Sequence, residues 1–389
     1  MDISKKTFIW AIVGLIILRI ILMILVMNNI PFTDMQDGGF RPTFTESYQP
    51  DEPQFYQMAK GLVSGRAERL VPNIGAPIIF APLIYFTGVS SPDELAKSVF
   101  VFEAFVLFSL ALILVALIAK KIFNSRKLAG ISAALFIAYP WMLLGIFNLA
   151  GYKNAVPAFH YQLWIFILSD YLSAFWVYLG FFLIFKWFEN IFESPAINWK
   201  ELIVLAIVSG AAILTRMGNF WLILIIFSTL LYFSRFKKAA LYGFFLGLAY
   251  LPQLIFNMAA FGAPWIYGYR DPLLGASTSS GLFSNWFNPS NLWFNFSNFS
   301  PDFYLIFFFL STGFLISFFI FGYAYFSKIN KKFTAIAAAW FWSYLIFYWT
   351  FDESLSQLRY FLPMIPVFIY FFVAAVIYLV GKFKKKIYV

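Results

Sequence analysis

The stretch Gln49-Pro50-Asp51-Glu52-Pro53-Gln54-Phe55-Tyr56-Gln57-Met58-Ala59-Lys60-Gly61-Leu62-Val63 follows the first very apolar segment of the chain and sets two adjacent carboxylates before a helix-like run. Phe55, Met58, Ala59, Leu62 and Val63 recur at the i, i+3, i+4, i+7, i+8 spacing of one helix face, while Gln54, Gln57 and Lys60 fall away from it. A short helix with one apolar face lies on a membrane surface rather than crossing it. Asp51 or Glu52 is expected as its N-cap and Pro53 at its first helical position, which puts the carboxylates where the chain turns away from the bilayer. From these residues alone two readings stand side by side: a capped surface helix with solvated acids, or a catalytic loop.

The rest of the chain is membrane-like in composition. Of 389 residues, 62% are hydrophobic, 23% aromatic and 12% charged, and the mean hydropathy is +0.78. Such a chain has too little polar surface to stay dispersed in water, and implies an all-α polytopic membrane protein. Apolar runs recur from end to end, so one integral domain over 1–389 is expected, with no soluble domain of ordinary size. The run 7–27 follows Lys5 and Lys6 like a signal peptide, but it is long and lacks a small-residue cleavage site, so it is expected to stay as an anchor. Cys is absent, which excludes disulfides and thiolate metal sites.

Taking runs of roughly 17 to 25 apolar residues as spans, the sequence predicts about ten transmembrane helices: 7–27, 96–119, 128–150, 163–187, 202–215, 220–233, 239–261, 303–326, 333–350 and 360–380. The fifth and sixth are short. An even number of spans places both termini on one side. Lys5, Lys6, Lys120, Lys121, Arg126, Lys127, Arg235, Lys237, Lys238 and the lysines of 328–332 and 382–386 share that side, which is cytoplasmic by the positive-inside rule of a plasma or inner membrane. The net charge of +10 is therefore topological, and no nucleic-acid partner is implied. Most acids fall in the two long external loops, 28–95 and 262–302, so the chemistry is expected to face outward. In the second loop, Trp286, Asn288, Trp293 and Asn295 suit an interfacial aromatic belt or a sugar. In the first, Pro77 and Pro82 argue against a straight spanning helix over 73–85, which should dip into the interface instead.

Charges inside spans are expensive and are functional candidates by default. Asp170 lies about two helical turns from the outer end of the fourth span, deep enough to need a cavity or a partner. Arg216 ends a short span, Arg359 opens the last one, Arg19 suits a structural pair, and Glu103 suits a cap or an interfacial acid. Under one topology Asp51, Glu52, Asp170, Arg216 and Arg359 share an outer-leaflet depth. Acids and arginines converging there suit a site that handles a hydroxyl acceptor and a phosphate.

In this order the motifs resemble the GT-C superfamily of polyprenyl-phosphate-sugar glycosyltransferases, in particular the protein mannosyltransferase and lipid A aminoarabinose transferase branch. The resemblance is carried by Asp51-Glu52 with Tyr56, Ala59 and Leu62, by Pro77 and Pro82-Leu83-Ile84-Tyr85, and by Ser169-Asp170-Tyr171-Leu172. It continues through Leu214-Thr215-Arg216, Leu251-Pro252 with Asn257, Phe261-Gly262 and Pro264, and Arg359-Tyr360-Phe361-Leu362-Pro363. The sequence departs from the pattern in placing Met217 where proline is common after the arginine, and no large soluble C-terminal domain is expected of it.

The resemblance implies an inverting transfer of sugar from a polyprenyl-phosphate donor to a glycan, lipid or protein hydroxyl at the outer face. Asp51 would be the base and Glu52 would hold the acceptor or orient Asp51. A positioned carboxylate contributes about 10² to 10⁴ in rate. Arg216 and Arg359 would stabilise the leaving lipid phosphate, Asp170 would orient donor hydroxyls or an arginine, and Tyr56 and Lys60 are the other expected substrate contacts. No metal cluster is visible with a single His and no Cys, so a metal, if one serves, is a carboxylate-held Mg²⁺ or Mn²⁺. A flippase or transporter of lipid-linked saccharides is a rival, but it would show midplane charges and internal repeats. An O-antigen ligase or polymerase is another, favoured by arginine-rich external loops, and here Arg270 stands alone in the second loop.

Overall fold

The computed structural model describes residues 2–29, 32–33, 41–42, 51–70, 73–149, 159, 162–165, 168–266, 314–349 and 358–387. These residues are helical apart from turns and one two-residue pairing, β1 (Phe32–Thr33) with β2 (Arg41–Pro42), antiparallel with Phe32 opposite Pro42. The helices are α1 (Lys5–Asn29), α2 (Asp51–Val63), α3 (Gly75–Thr87), α4 (Pro92–Phe100), α5 (Phe108–Phe123), α6 (Arg126–Leu149) and α7 (Ser169–Lys186). They continue as α8 (Trp199–Thr215), α9 (Phe220–Tyr232), α10 (Phe236–Phe261), α11 (Phe314–Ile329), α12 (Lys331–Trp349) and α13 (Ile365–Ile387).

Five helical stretches among the described residues are long and apolar enough to cross a membrane: Lys5–Val26, Ser98–Phe123, Arg126–Ile146, Phe236–Phe261 and Arg359–Gly381. They match the first, second, third, seventh and tenth expected spans. Of the other five expected spans, four fall on α7, α8, α9 and α12, of 18, 17, 13 and 19 residues, which are shorter or less apolar; the eighth overlaps α11, and its part 303–313 lies outside the described residues. The second long stretch contains a wide turn, Val101–Leu107, with i→i+5 geometry. Glu103 sits in it fully buried.

Two compact units divide the chain, one made of 1–19, 110–163 and 286–389, the other of 20–109 and 164–285. In the first, α11 packs on α13 so closely that a β-carbon on Gly322 would meet the Phe371 carbonyl. Tyr370 donates to the Val115 carbonyl at 2.9 Å and Trp340 to that of Pro363 at 3.0 Å, satisfying polar groups that the apolar interior would otherwise strand. Asp2 accepts from the backbone N–H of Lys127 at 2.9 Å and the hydroxyl of Ser125 at 3.2 Å, capping the start of α6. Arg19 is buried, donates to the Leu163 carbonyl at 2.6 Å and lies 5.8 Å from the Trp141 ring.

In the second unit α8 is the hub, packing on α3, α7 and α10. Near the start of α10, Lys238 donates to the carbonyls of Asn190, Ile191 and Ser194 at 2.6, 2.8 and 2.8 Å. Arg235 reaches the Phe192 carbonyl at 3.2 Å and also that of Glu193. Five consecutive carbonyls of the turn between α7 and α8 are thus held by two cations counted above only as topology signals.

Candidate functional site

The site is built where α7 begins and α8 ends, in the second unit. The α7 start is extended at Leu168 and places Asp170 in the first helical turn, where a negative charge suits the helix dipole. Helix α8 ends at Thr215, and Arg216 leaves it in extended conformation, φ −150° and ψ 128°, as a cation at the opposite dipole end. Arg216 Nη1 donates to Asp170 Oδ1 in an ion pair. Asp170 is 3% exposed and the Arg216 side chain 21%, so the pair is anchored in protein on the acidic side and open on the basic side. The sequence flagged both residues, and the structure brings them together.

Three further features hold this corner. Asn219 Nδ2 donates to Ser173 Oγ at 2.8 Å and to the Ala212 carbonyl at 2.7 Å. A β-carbon on Gly75 would fall on the carbonyl of Leu214 and the nitrogen of Thr215, so glycine there lets the start of α3 lie directly on the end of α8. Trp164, fully buried, has φ 61° and stacks on Tyr171 at 5.4 Å with rings 16° apart. A side chain in the left-handed region costs about 1–3 kcal/mol and tends to mark functional corners. None of Asn219, Ser173, Gly75 or Trp164 was singled out from sequence. The available signal was the shared three-residue step from Asp170 to Ser173 and from Arg216 to Asn219 in otherwise apolar runs.

The helix that opened the sequence reading forms as α2, but its apolar face meets protein rather than lipid. Phe55, Tyr56, Met58 and Ala59 are buried. Met58 joins Ile74, Leu214 and Phe256 in one cluster, flanked by Leu62, Leu70 and Tyr250. Periodicity reports only that a face is apolar, and a protein groove and a bilayer satisfy it equally. The helix begins at Asp51, so Asp51 and Glu52 lie within its first turn and not ahead of it, a position acids also favour. Pro53 then falls where a missing N–H removes no helix bond. Because Met58 touches the cluster containing Leu214, Asp51 starts roughly 10 Å back along the helix axis at 1.5 Å per residue. The side chains of Asp51 and Glu52 lie outside the described residues.

Lys60 Nζ lies 5.4 Å from the Tyr56 ring, and the Tyr56 hydroxyl, buried, has no hydrogen-bond partner among the described residues. The start of α3 and the end of α10 are tied together: Ile74 N–H donates to Gln253 Oε1 at 3.1 Å, Gln253 Nε2 to Asn257 Oδ1 at 2.8 Å, and Asn257 Nδ2 to the Pro264 carbonyl at 2.9 Å. The prolines of 73–85 do not prevent a helix, since Pro77 is in the first turn of α3. At 13 residues it is about 20 Å long and too short to span. Arg359 belongs to the first unit, where it is buried beside Tyr360, 5.2 Å from that ring. The aromatic and amide residues of 284–296 lie outside the described residues. Among the described residues no group of three His, Asp or Glu could hold a metal ion; a Mg²⁺ or Mn²⁺ would have to draw on carboxylates such as Asp51 and Glu52, whose side chains are not among them.

No protein-family model and no curated protein matches the chain. Two solved structures do. The archaeal oligosaccharyltransferase AglB from Archaeoglobus fulgidus, in complex with an inhibitory peptide and a dolichol-phosphate, matches with a TM-score of 0.59 and 15% identity over 97% of this chain and 51% of that one. An Archaeoglobus fulgidus oligosaccharyltransferase in the apo form matches with 0.55 and 12% identity over 99% and 52%. The chain spans about half the length of each of these relatives, and at such identities the likeness is one of fold: this chain is a helical membrane protein with the architecture of part of an oligosaccharyltransferase.

Proposed function

We propose that the protein is a GT-C-type glycosyltransferase that takes a sugar from a polyprenyl-phosphate donor and passes it to a hydroxyl of a glycan, lipid or protein. The observation that carries the reading is the ion pair of Asp170 and Arg216 at the ends of two helices, within a fold shared with a protein that binds dolichol-phosphate. The apolar runs support about ten spans, and the distribution of Lys and Arg supports cytoplasmic termini and a site at the outer face of a plasma or inner membrane.

In this reading Asp170 holds the guanidinium from its buried side, and the exposed side meets the phosphate. As the bond from sugar C1 to phosphate oxygen breaks, charge grows on the phosphate, and a fork of fixed N–H donors stabilises it more than it stabilises the ground state. Arg359 is the second candidate for that role. Asp51, at the open end of α2, takes the proton of the attacking hydroxyl, and Glu52 holds the acceptor or orients Asp51. The Tyr56 hydroxyl and Lys60, which share α2, contact the substrate's polar groups. Attack opposite the leaving phosphate inverts the anomeric centre.

Two variants test this in kind as well as size. Asp51→Asn keeps volume but loses the charge, and turnover should fall by about two to four orders of magnitude with donor binding retained. Arg216→Ala should weaken polyprenyl-phosphate binding by about 1.5–3 kcal/mol. Equal, modest losses of binding and turnover in Asp51→Asn would make it a structural residue at the helix start and defeat its assignment as the base.

A further inference from the structure

Two side-chain ties join α7 to the turn after α8 in parallel, Arg216 to Asp170 and Asn219 to Ser173. Asp170 and Ser173 stand one helical turn apart on α7 and so share a face. Arg216 and Asn219 are linked directly, since the Asn219 N–H donates to the Arg216 carbonyl at 3.0 Å. The first tie is ionic and partly open; the second is neutral and wholly buried.

A carboxamide NH₂ has two hydrogens, and Asn219 uses both, on two different elements. One goes to Ser173 on α7, the other to the Ala212 carbonyl at 2.7 Å. That carbonyl also receives the Arg216 backbone N–H at 3.1 Å and the Thr215 hydroxyl at 2.7 Å. The last carbonyls of a helix ordinarily lack intrahelical partners. Here the carbonyl at the exit of α8 is tied three times, at the point where the chain swings Arg216 into extended conformation.

An ion pair at the tip of a long flexible side chain cannot by itself set the direction of that side chain, because its base would remain free to move. We infer that Asn219, anchored on Ser173, is a positioning residue for Arg216. It fixes the backbone from which the guanidinium reaches Asp170, and hence the face offered to a lipid phosphate. The ligand in this inference rests on the glycosyltransferase reading above; the geometry does not.

The experiment uses the whole chain in nanodiscs, with Asn219→Ala and the milder Ser173→Ala, which removes one hydroxyl and leaves the Ala212 bond. The first measurement is the rate at which phenylglyoxal modifies Arg216, followed by peptide mass spectrometry. The second is the ratio of dolichol to dolichyl phosphate dissociation constants, which isolates the phosphate contribution. Both variants should speed modification of Arg216 and lower the ratio by about two- to tenfold, the worth of one hydrogen bond. In an Arg216→Ala background, Asn219→Ala should lower the ratio no further. Unchanged Arg216 reactivity, equal weakening of both lipids, or additive losses in the double variant would each overturn the positioning role. Faster modification with a ratio that Arg216→Ala leaves intact would uphold the positioning and overturn the lipid-phosphate reading instead.

Discussion

Replacing Gly75 by alanine puts a β-carbon onto the Leu214 carbonyl and the Thr215 nitrogen, and all of these are backbone atoms with no flexible end to move aside. Relief therefore requires α3 to shift relative to α8, next to Arg216. Overpacking of this kind costs typically about 1–3 kcal/mol, offset by at most about 1 kcal/mol of better helix propensity. A net loss of about 1–2 kcal/mol is expected. Gly130 provides the control: it lies inside α6 with open space where a β-carbon would go, so alanine there should add about 0.5–1 kcal/mol. The two substitutions are chemically identical and opposite in expected sign. Apparent unfolding temperatures in one detergent, read by loss of the monodisperse peak on heating, compare them directly. A Gly75→Ala protein as stable as its parent would refute the close approach of α3 to the end of α8 and with it the account of how that corner is built.

Lys238→Met keeps the length of the side chain and removes its charge, leaving the carbonyls of Asn190, Ile191 and Ser194 without their shared donor. A bond to a charged group is worth about 1.5–3 kcal/mol, so the variant should unfold at a visibly lower temperature, whereas Lys237→Met, on an exposed neighbour, should not. The backbone N–H of Lys127 holds the Asp2 carboxyl down to about 2 from its usual 3.8. A depressed acid stabilises the folded state fully above its unfolded value and loses that contribution as pH falls through the folded one. The stability gap between the parent and Asp2→Asn should therefore persist at neutral pH and narrow between about pH 4 and 2. A gap unchanged across that range would show that the Asp2 charge does not cap α6.

Much of the helical layout was legible because an apolar run of spanning length has few alternatives, and Asp51 and Pro53 signalled the start of α2 to within two residues. Partners were not legible. The depth argument placed Asp170 and Arg216 together, but no periodicity links residues on different helices, and Asn219 and Ser173 look like ordinary polar interruptions until that pair is seen. Gly75 passed without notice, because only the approaching backbone of Leu214 reveals its purpose. The burial of the α2 face was invisible for a different reason: in a membrane protein, lipid and protein interior present nearly the same apolar surroundings to a helix.

The turn 190–194 depends on Arg235 and Lys238, which come more than forty positions later in the chain. Synthesis runs from the amino end, so α7, α8 and α9 are made before the residues that close this turn. The same two residues stand at the start of α10, Arg235 at its cap position and Lys238 in its first turn. The full set of donors to this turn is thus in place only once the first residues of α10 have been made.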